Sequence, residues 1–61
     1  MNYIFFYKNE VGESIPVSYG SCEDYSFLNV AKKHLEQTYK KHPQSENNLF
    51  VLVNDHEFKI D

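Results

Sequence analysis

The sequence predicts an α+β fold of order ββαββ, in which a mainly antiparallel sheet has one helix packed on one face. Two segments, residues 3–7 and 49–53, are apolar at every position, which is typical of strands that carry hydrophobic side chains on both faces. Only one stretch, from about residue 22 to residue 41, has apolar side chains at helical spacing. Polar segments rich in Asn, Gly or Pro separate these stretches, so each is expected to form its own element.

The first two strands are predicted over residues 2–8 and 14–19, with a hairpin loop over residues 9–13. The loop contains an asparagine and a glycine, which can adopt the positive φ angles that hairpin loops need. Pro16 has no N–H for a ladder hydrogen bond, so the second strand is expected at a sheet edge. The apolar residues of this strand alternate and are expected on one side of it: Ile15, Val17 and Tyr19.

One amphipathic helix is predicted from about residue 22 to residue 41. Ser21 is followed three residues later by Asp24, which is close to a capping box and predicts that the helix begins after Ser21. A cationic last turn before Pro43 predicts its end. The stripe expected to face the sheet consists of Phe27, Leu28, Ala31, Leu35 and Tyr39.

The third and fourth strands are predicted over residues 49–53 and 57–60, joined by a turn over residues 54–56. The helix is a crossover connection, which should return the third strand parallel to the second. The two strands that are apolar on both faces belong in the centre of the sheet. These conditions predict the strand order 2-1-3-4 in a single domain, residues 1–61.

A single helix can cover only one face of this sheet, so the second apolar face is expected to need another protein surface. The side chains expected beneath the helix are Ile4, Phe6, Val51 and Val53. Those expected to point outward are Tyr3, Phe5, Tyr7 and Phe50, because a tyrosine hydroxyl tolerates a partly solvated surface. A shift of one residue would exchange the two sets. The alternative is that the strands are short, strongly twisted and covered by loops, with no interface.

Composition excludes several classes of function. The hydrophobic fraction of 41% is typical of a folded globular chain, and one cysteine cannot form an internal disulfide. A net charge of −3 and the lack of arginine argue against a general affinity for nucleic acid. The longest apolar run has five residues and no secretion signal is recognisable, so the chain is expected to be soluble, cytoplasmic and not membrane-bound.

No residue pattern indicates catalysis, a metal or a cofactor. Cys22 is expected near the helix N-terminus, where a thiol can become a nucleophile, but a small residue also simply fits there. His34, His42 and His56 lack the close spacing of structural zinc ligands. The carboxylates are interpreted as solvated charges, without the desolvated pair that acid–base catalysis requires. We therefore expect no enzymatic activity and no bound cofactor.

The favoured function is a non-catalytic protein-binding module, because an apolar and aromatic surface with a charged rim is the composition of an interface. The predicted partner-binding residues are Tyr3, Phe5, Tyr7, Phe50, Glu10 and Glu13. The two glutamates are expected to steer the chain to a basic site. One alternative is single-stranded nucleic acid stacked on the sheet aromatics, and the other is a homodimer that pairs its own faces.

The predicted strand order, the length and the acidic charge resemble those of small ββα-containing inhibitors that phages encode against host machinery, such as anti-CRISPR proteins and inhibitors of host RNA polymerase. The resemblance is one of architecture, spans most of the chain and includes no sequence motif. It implies that the partner is a host protein or protein complex whose surface is occupied in the host cytoplasm. It carries over no site residue.

Overall fold

The computed structural model describes all 61 residues and confirms the predicted α+β class. Its strands are β1 (Asn2–Lys8), β2 (Ser14–Ser21), β3 (Leu49–Val53) and β4 (His56–Lys59). Two short helices, α1 (Phe27–Lys33) and α2 (Leu35–Lys41), and a 3₁₀ turn (Pro43–Ser45) lie between β2 and β3. Every pair of neighbouring strands is antiparallel, and the observed order β2-β1-β3-β4 is the predicted one.

The two strands that are apolar on both faces, β1 and β3, occupy the centre of the sheet. Because β1 is antiparallel to both β2 and β3, the helical crossover returns β3 parallel to β2, as predicted. Pro16 lies in β2, which is an edge strand. This strand has no second neighbouring strand to which the missing N–H could donate a hydrogen bond. The strand order thus follows from the positions of the strands that are apolar on both faces, which are central in the sheet.

Local side-chain chemistry explains both hairpins. Between β3 and β4, Asn54 and Asp55 have φ angles of 51° and 61°, the left-handed pair of a two-residue type I′ turn. In the β1–β2 loop, the Asn9 Oδ1 atom accepts hydrogen bonds from the backbone N–H groups of Val11 (3.1 Å) and Glu13 (2.9 Å). Gly12 supplies the positive φ of 83° that this loop requires.

A β-bulge in β2 breaks the predicted alternation of that strand. Phe5 lies opposite Ser18 while Phe6 lies opposite Pro16, so Val17 is the extra residue. Beyond the bulge, Tyr19 pairs with Ile4 and points to the side of the sheet away from the helices. The expectation that Tyr19 shares a side with Ile15 and Val17 is therefore wrong.

The single helix predicted from residue 22 to residue 41 is wrong at its start. Strand β2 continues to Ser21, whose hydroxyl donates to Asn2 Oδ1 at 2.8 Å instead of capping a helix. Residues 22–26 form a turn, in which Asp24 Oδ1 accepts the backbone N–H of Ser26 at 2.9 Å. The helix begins only at Phe27 because the preceding polar side chains satisfy turn and strand partners.

The predicted helix is also interrupted at His34, where φ is −111° and ψ is 17°. The His34 N–H donates to the Ala31 carbonyl, one residue closer than in an α-helix, and this tight turn separates α1 from α2. The Thr38 hydroxyl donates to the His34 carbonyl at 3.2 Å. Neither seven-residue helix has the length or apolar character to cross a membrane.

The hydrophobic core lies between the helices and one face of the sheet. Its buried members are Phe5, Leu49, Val51 and Ile60. The helices pack against them through Phe27, Leu28, Ala31 and Leu35, which belong to the predicted stripe. The fifth member of that stripe, Tyr39, instead forms a hydrogen bond to Asp61.

The predicted faces of β1 are wrong. In the ladder, Phe5 lies opposite Val51 and Phe6 lies opposite Phe50, so Phe5 shares the helix side with Val51. Tyr3 and Tyr7 therefore face the helices as well, whereas Ile4 and Phe6 face away. For β3 the expected faces are the observed ones: Val51 and Val53 are buried on the helix side and Phe50 lies on the other. The predicted combination would have needed a register shifted by one residue.

Candidate functional site

The sheet has a second face, on the side away from the helices, which we call the open face. Its side chains are Ile4, Phe6 and Lys8 from β1, Pro16 and Tyr19 from β2, Phe50 and Leu52 from β3, and Glu57 and Lys59 from β4. Ile4 is 41% exposed, Leu52 39% and Tyr19 82%. These exposed apolar groups share one face, which is the uncovered surface that the sequence predicted.

An aromatic pair forms the centre of the open face. The rings of Phe6 and Phe50 stack with centroids 5.5 Å apart and an interplanar angle of 17°. Phe6 is only 5% exposed although no helix covers it, because its neighbours on the sheet surround it. Ile4 and Leu52, paired across β1 and β3, extend the apolar surface from this centre.

A charged bridge borders the aromatic pair. The Lys8 Nζ atom lies 3.6 Å from Glu57 Oε2 and 5.0 Å from the centroid of the Phe50 ring. Because β1 and β4 are not neighbours, this ion pair passes over β3 and partly covers Phe50. Both side chains are nearly half exposed, so the pair stabilises the fold by about 1 kcal/mol or less. It gives the open face a polar rim.

Three of the predicted partner-binding residues lie on the other side of the sheet. Tyr3 stacks on Phe27 with ring centroids 4.3 Å apart, and Phe5 is buried in the core. Tyr7 lies beside His42, with ring centroids 6.0 Å apart. Their predicted outward orientation is corrected accordingly, because all three share the helix side of β1.

The other three predicted residues are on the surface. Phe50 lies on the open face, half-buried beside Phe6. Glu10 and Glu13 are exposed in the β1–β2 loop, where the Glu13 carboxylate accepts a hydrogen bond from the Asn9 amide at 3.2 Å. Sequence reasoning missed Ile4, Leu52 and Tyr19 as open-face residues. No sequence signal separates Ile4 from its neighbours, because Phe5 and Phe6 could each stack on Phe50 and only the observed register pairs Phe6 with Phe50.

The residues considered for chemistry are dispersed. Cys22 lies at the end of β2, where its N–H donates to the Met1 carbonyl at 2.8 Å, and not at a helix N-terminus. No three His, Cys, Asp or Glu side chains form a group that could hold a metal ion. The Ser26 hydroxyl and then its backbone N–H lower the pKa of the Asp24 carboxyl, which is fully exposed in the turn before α1.

Comparisons of the chain with protein-family models, curated proteins and solved structures found no match. The geometry of the open face therefore supplies the argument about function. It combines a stacked aromatic centre, two exposed aliphatic side chains and a rim of opposite charges. Such a surface can bind an apolar patch on another protein and exclude water around it.

Proposed function

We propose that this chain is a non-catalytic protein-binding module that acts as an inhibitor or regulator by occupying a surface of a larger protein or complex. The observation that carries the proposal is the open face, where Ile4 and Leu52 expose apolar surface beside the Phe6–Phe50 stack. The architectural resemblance to phage-encoded inhibitors implies the same function, exercised in the cytoplasm of a host.

The composition of the open face supports a protein partner. Aromatic and aliphatic side chains at its centre and charges at its rim are the distribution found at protein interfaces. A standard interface covers about 800 Å² on each partner, roughly a fifth of the 4454 Å² surface of this chain. We expect such a partner to cover the centre of the open face and Tyr19 at its edge, a large exposed side chain.

Affinity capture with two matched variants tests the proposal. Leu52→Glu places a charge on the open face, and Val30→Glu places the same charge on the exposed surface of α1. The tagged chain and Val30→Glu should enrich the same protein from the native host, and Leu52→Glu should lose it. Far-UV circular dichroism should show both variants folded. Capture that survives Leu52→Glu but fails with Val30→Glu would contradict the proposal, since the partner would then bind the helix side.

Self-association is the rival within this class and is tested by light scattering after size exclusion over a range of concentrations. A monomer mass at all concentrations supports binding to a different protein. A mass that doubles with concentration and returns to that of the monomer in Leu52→Glu would assign the open face to a second copy of the chain.

Single-stranded nucleic acid is the second candidate, and one observation favours it. Lys8 and Lys59 lie on the same face as the Phe50 ring, an arrangement able to contact phosphates and stack a base. The acidic net charge and the pairing of Lys8 with Glu57 oppose it. We expect oligonucleotide binding to vanish at moderate salt, and binding that persists there would favour this candidate over the first.

A further inference from the structure

The helix side of the sheet contains a groove that the open face does not involve. Its volume is about 380 Å³, and it lies between β2 and the two helices. The apolar side chains that line it are Tyr3, Phe5, Val17, Phe27, Val30, Ala31 and Leu49. Small residues create this space: Ser18 on β2 lies opposite Phe5, and Ala31 on α1 is the smallest of the apolar side chains that line the groove. A volume of this size is in the range of small-molecule sites.

The groove continues into a polar recess of about 330 Å³. The two spaces share Val17, Ser18, His34 and Thr38 as lining residues. The recess adds Gln37, Lys41 and His42 from α2 and its C-terminal end. One end of the continuous groove is therefore apolar, and the other end carries an ammonium group, two imidazoles and a carboxamide.

The charges around the groove indicate the sign of a ligand. The chain has nine acidic residues and a net charge of −3, yet no Asp or Glu lines either space. The ion pair of the protein joins Lys8 to Glu57 on the open face, so the Lys41 ammonium has no carboxylate partner. A ligand with an apolar tail and one negative charge is complementary to both ends of the groove.

We propose that this groove binds a small amphipathic monocarboxylate, such as a medium-chain fatty acid. The tail lies between Phe27 and Ala31, and the carboxylate accepts hydrogen bonds from Lys41 and from the imidazole or amide groups beside it. The proposal is independent of the proposed function, because the sheet separates the groove from the open face.

Titration with octanoate, followed by two-dimensional amide NMR of the whole chain, tests the proposal. Octanoate should shift the amide signals of Val17, Ala31 and Lys41, and octylamine, with the same tail and the opposite charge, should bind at least about tenfold more weakly. Binding should tighten about fourfold for each methylene added between hexanoate and octanoate. Equal binding of octanoate and octylamine, or shifts confined to the open face, would overturn the proposal.

Two neighbouring lysines supply a matched charge control. Lys41 lines the polar recess, whereas Lys40 lines neither space. Lys41→Gln should weaken octanoate binding about threefold to tenfold, and Lys40→Gln should leave it within about twofold. If both variants weaken octanoate binding equally, binding depends only on the net charge of the protein. That result would contradict a specific contact with Lys41.

Filling the apolar end tests the position of the tail. Ala31→Leu adds side-chain volume inside the groove and should abolish the octanoate shifts while far-UV circular dichroism stays that of the folded chain. Ser18→Val fills the same groove from β2 and should act in the same way. Unchanged octanoate affinity in a folded variant of either kind would show that the ligand lies elsewhere.

Discussion

At the residue scale, two adjacent phenylalanines are buried for different reasons. Phe5 is 8% exposed because helices cover its side of β1, whereas Phe6 is 5% exposed because its neighbours on the open face surround it. Successive side chains in a strand point to opposite faces of the sheet, so the rings of Phe5 and Phe6 lie on different sides of β1. A chain of this size therefore uses both faces of β1 for burial.

Substitution of Phe5 should be among the most destabilising changes in the protein. Phe5→Ala removes a core ring and should lower the free energy of unfolding by about 3–5 kcal/mol, measured by urea denaturation. Phe58→Ala removes the same side chain from a site that is 41% exposed, and should cost about 1 kcal/mol. Similar costs for the two variants would contradict the placement of Phe5 in the core.

Tyr39 and Asp61 belong to a polar cluster that joins distant parts of the chain. The Tyr39 hydroxyl donates to Asp61 Oδ2 at 2.6 Å, and the Asp61 carboxylate also accepts the N–H groups of Asn48 and Leu49, both at 3.1 Å. Burial, and then the hydrogen bond to Asp61, raises the pKa of Tyr39 from 10.0 to about 12. The contact joins α2 to the start of β3.

This raised pKa predicts a specific alkaline instability. Because the folded state holds the Tyr39 proton more tightly than the unfolded chain, the stabilisation is complete below pH 10.0 and is lost as the pH rises through about 12. Tyr39→Phe should be less stable at neutral pH by about 1–3 kcal/mol and should lack this part of the alkaline loss. The control is Tyr19→Phe, whose ring is exposed. An unchanged alkaline profile in Tyr39→Phe would contradict the assignment.

At the scale of elements, turn chemistry and strand edges determine where each segment ends. The bulge at Val17 and the proline beside it make β2 irregular, which disfavours further strand pairing at that edge. The helical crossover is divided at His34, so each helix is too short to be stable alone and depends on contact with the sheet.

The β3–β4 turn offers a test at this scale. Asp55 has a φ of 61°, a conformation in which glycine has no Cβ penalty, and type I′ turns prefer Asn-Gly. Asp55→Gly should raise the free energy of unfolding by about 0.5–1 kcal/mol, and Asp55→Val should lower it by about 1–2 kcal/mol. Thermal unfolding of both variants measures the difference. The reverse order of stability would exclude a type I′ turn.

At the scale of the whole molecule, one sheet separates two surfaces of different character. The open face is broad and apolar with a charged rim, and the groove on the helix side is narrow and positive at one end. Lys41 of the groove and Leu52 of the open face lie on opposite sides of the sheet. Effects of substitutions on the two sides should therefore be independent.

Crossed measurements check this independence. Leu52→Glu should bind octanoate like the unmodified chain, and Lys41→Gln should retain partner capture. If Leu52→Glu also loses octanoate binding while it remains folded, the two surfaces are coupled through the sheet. If the unmodified chain shows only one of the two activities, the proposal for the other activity fails.

The candidate site was predicted only in part. An uncovered apolar sheet face was expected, and Phe50 was placed on it correctly, because the number of apolar strands exceeded what one helical segment could cover. The sequence pattern predicts the wrong face for Phe5, since Tyr, Phe and Ile are all apolar enough to lie on either side of β1. Its true orientation depends on the pairing with Val51 across the ladder.

The fold class, the number of strands and the order β2-β1-β3-β4 follow from the amino-acid pattern alone, because doubly apolar strands require the centre and Pro16 requires an edge. Three features follow only from the folded structure: which face of β1 meets the helices, where β2 bulges and where the helical segment breaks. Those features depend on side-chain packing between residues far apart in the chain, such as Phe5 with Leu49, which local periodicity does not encode.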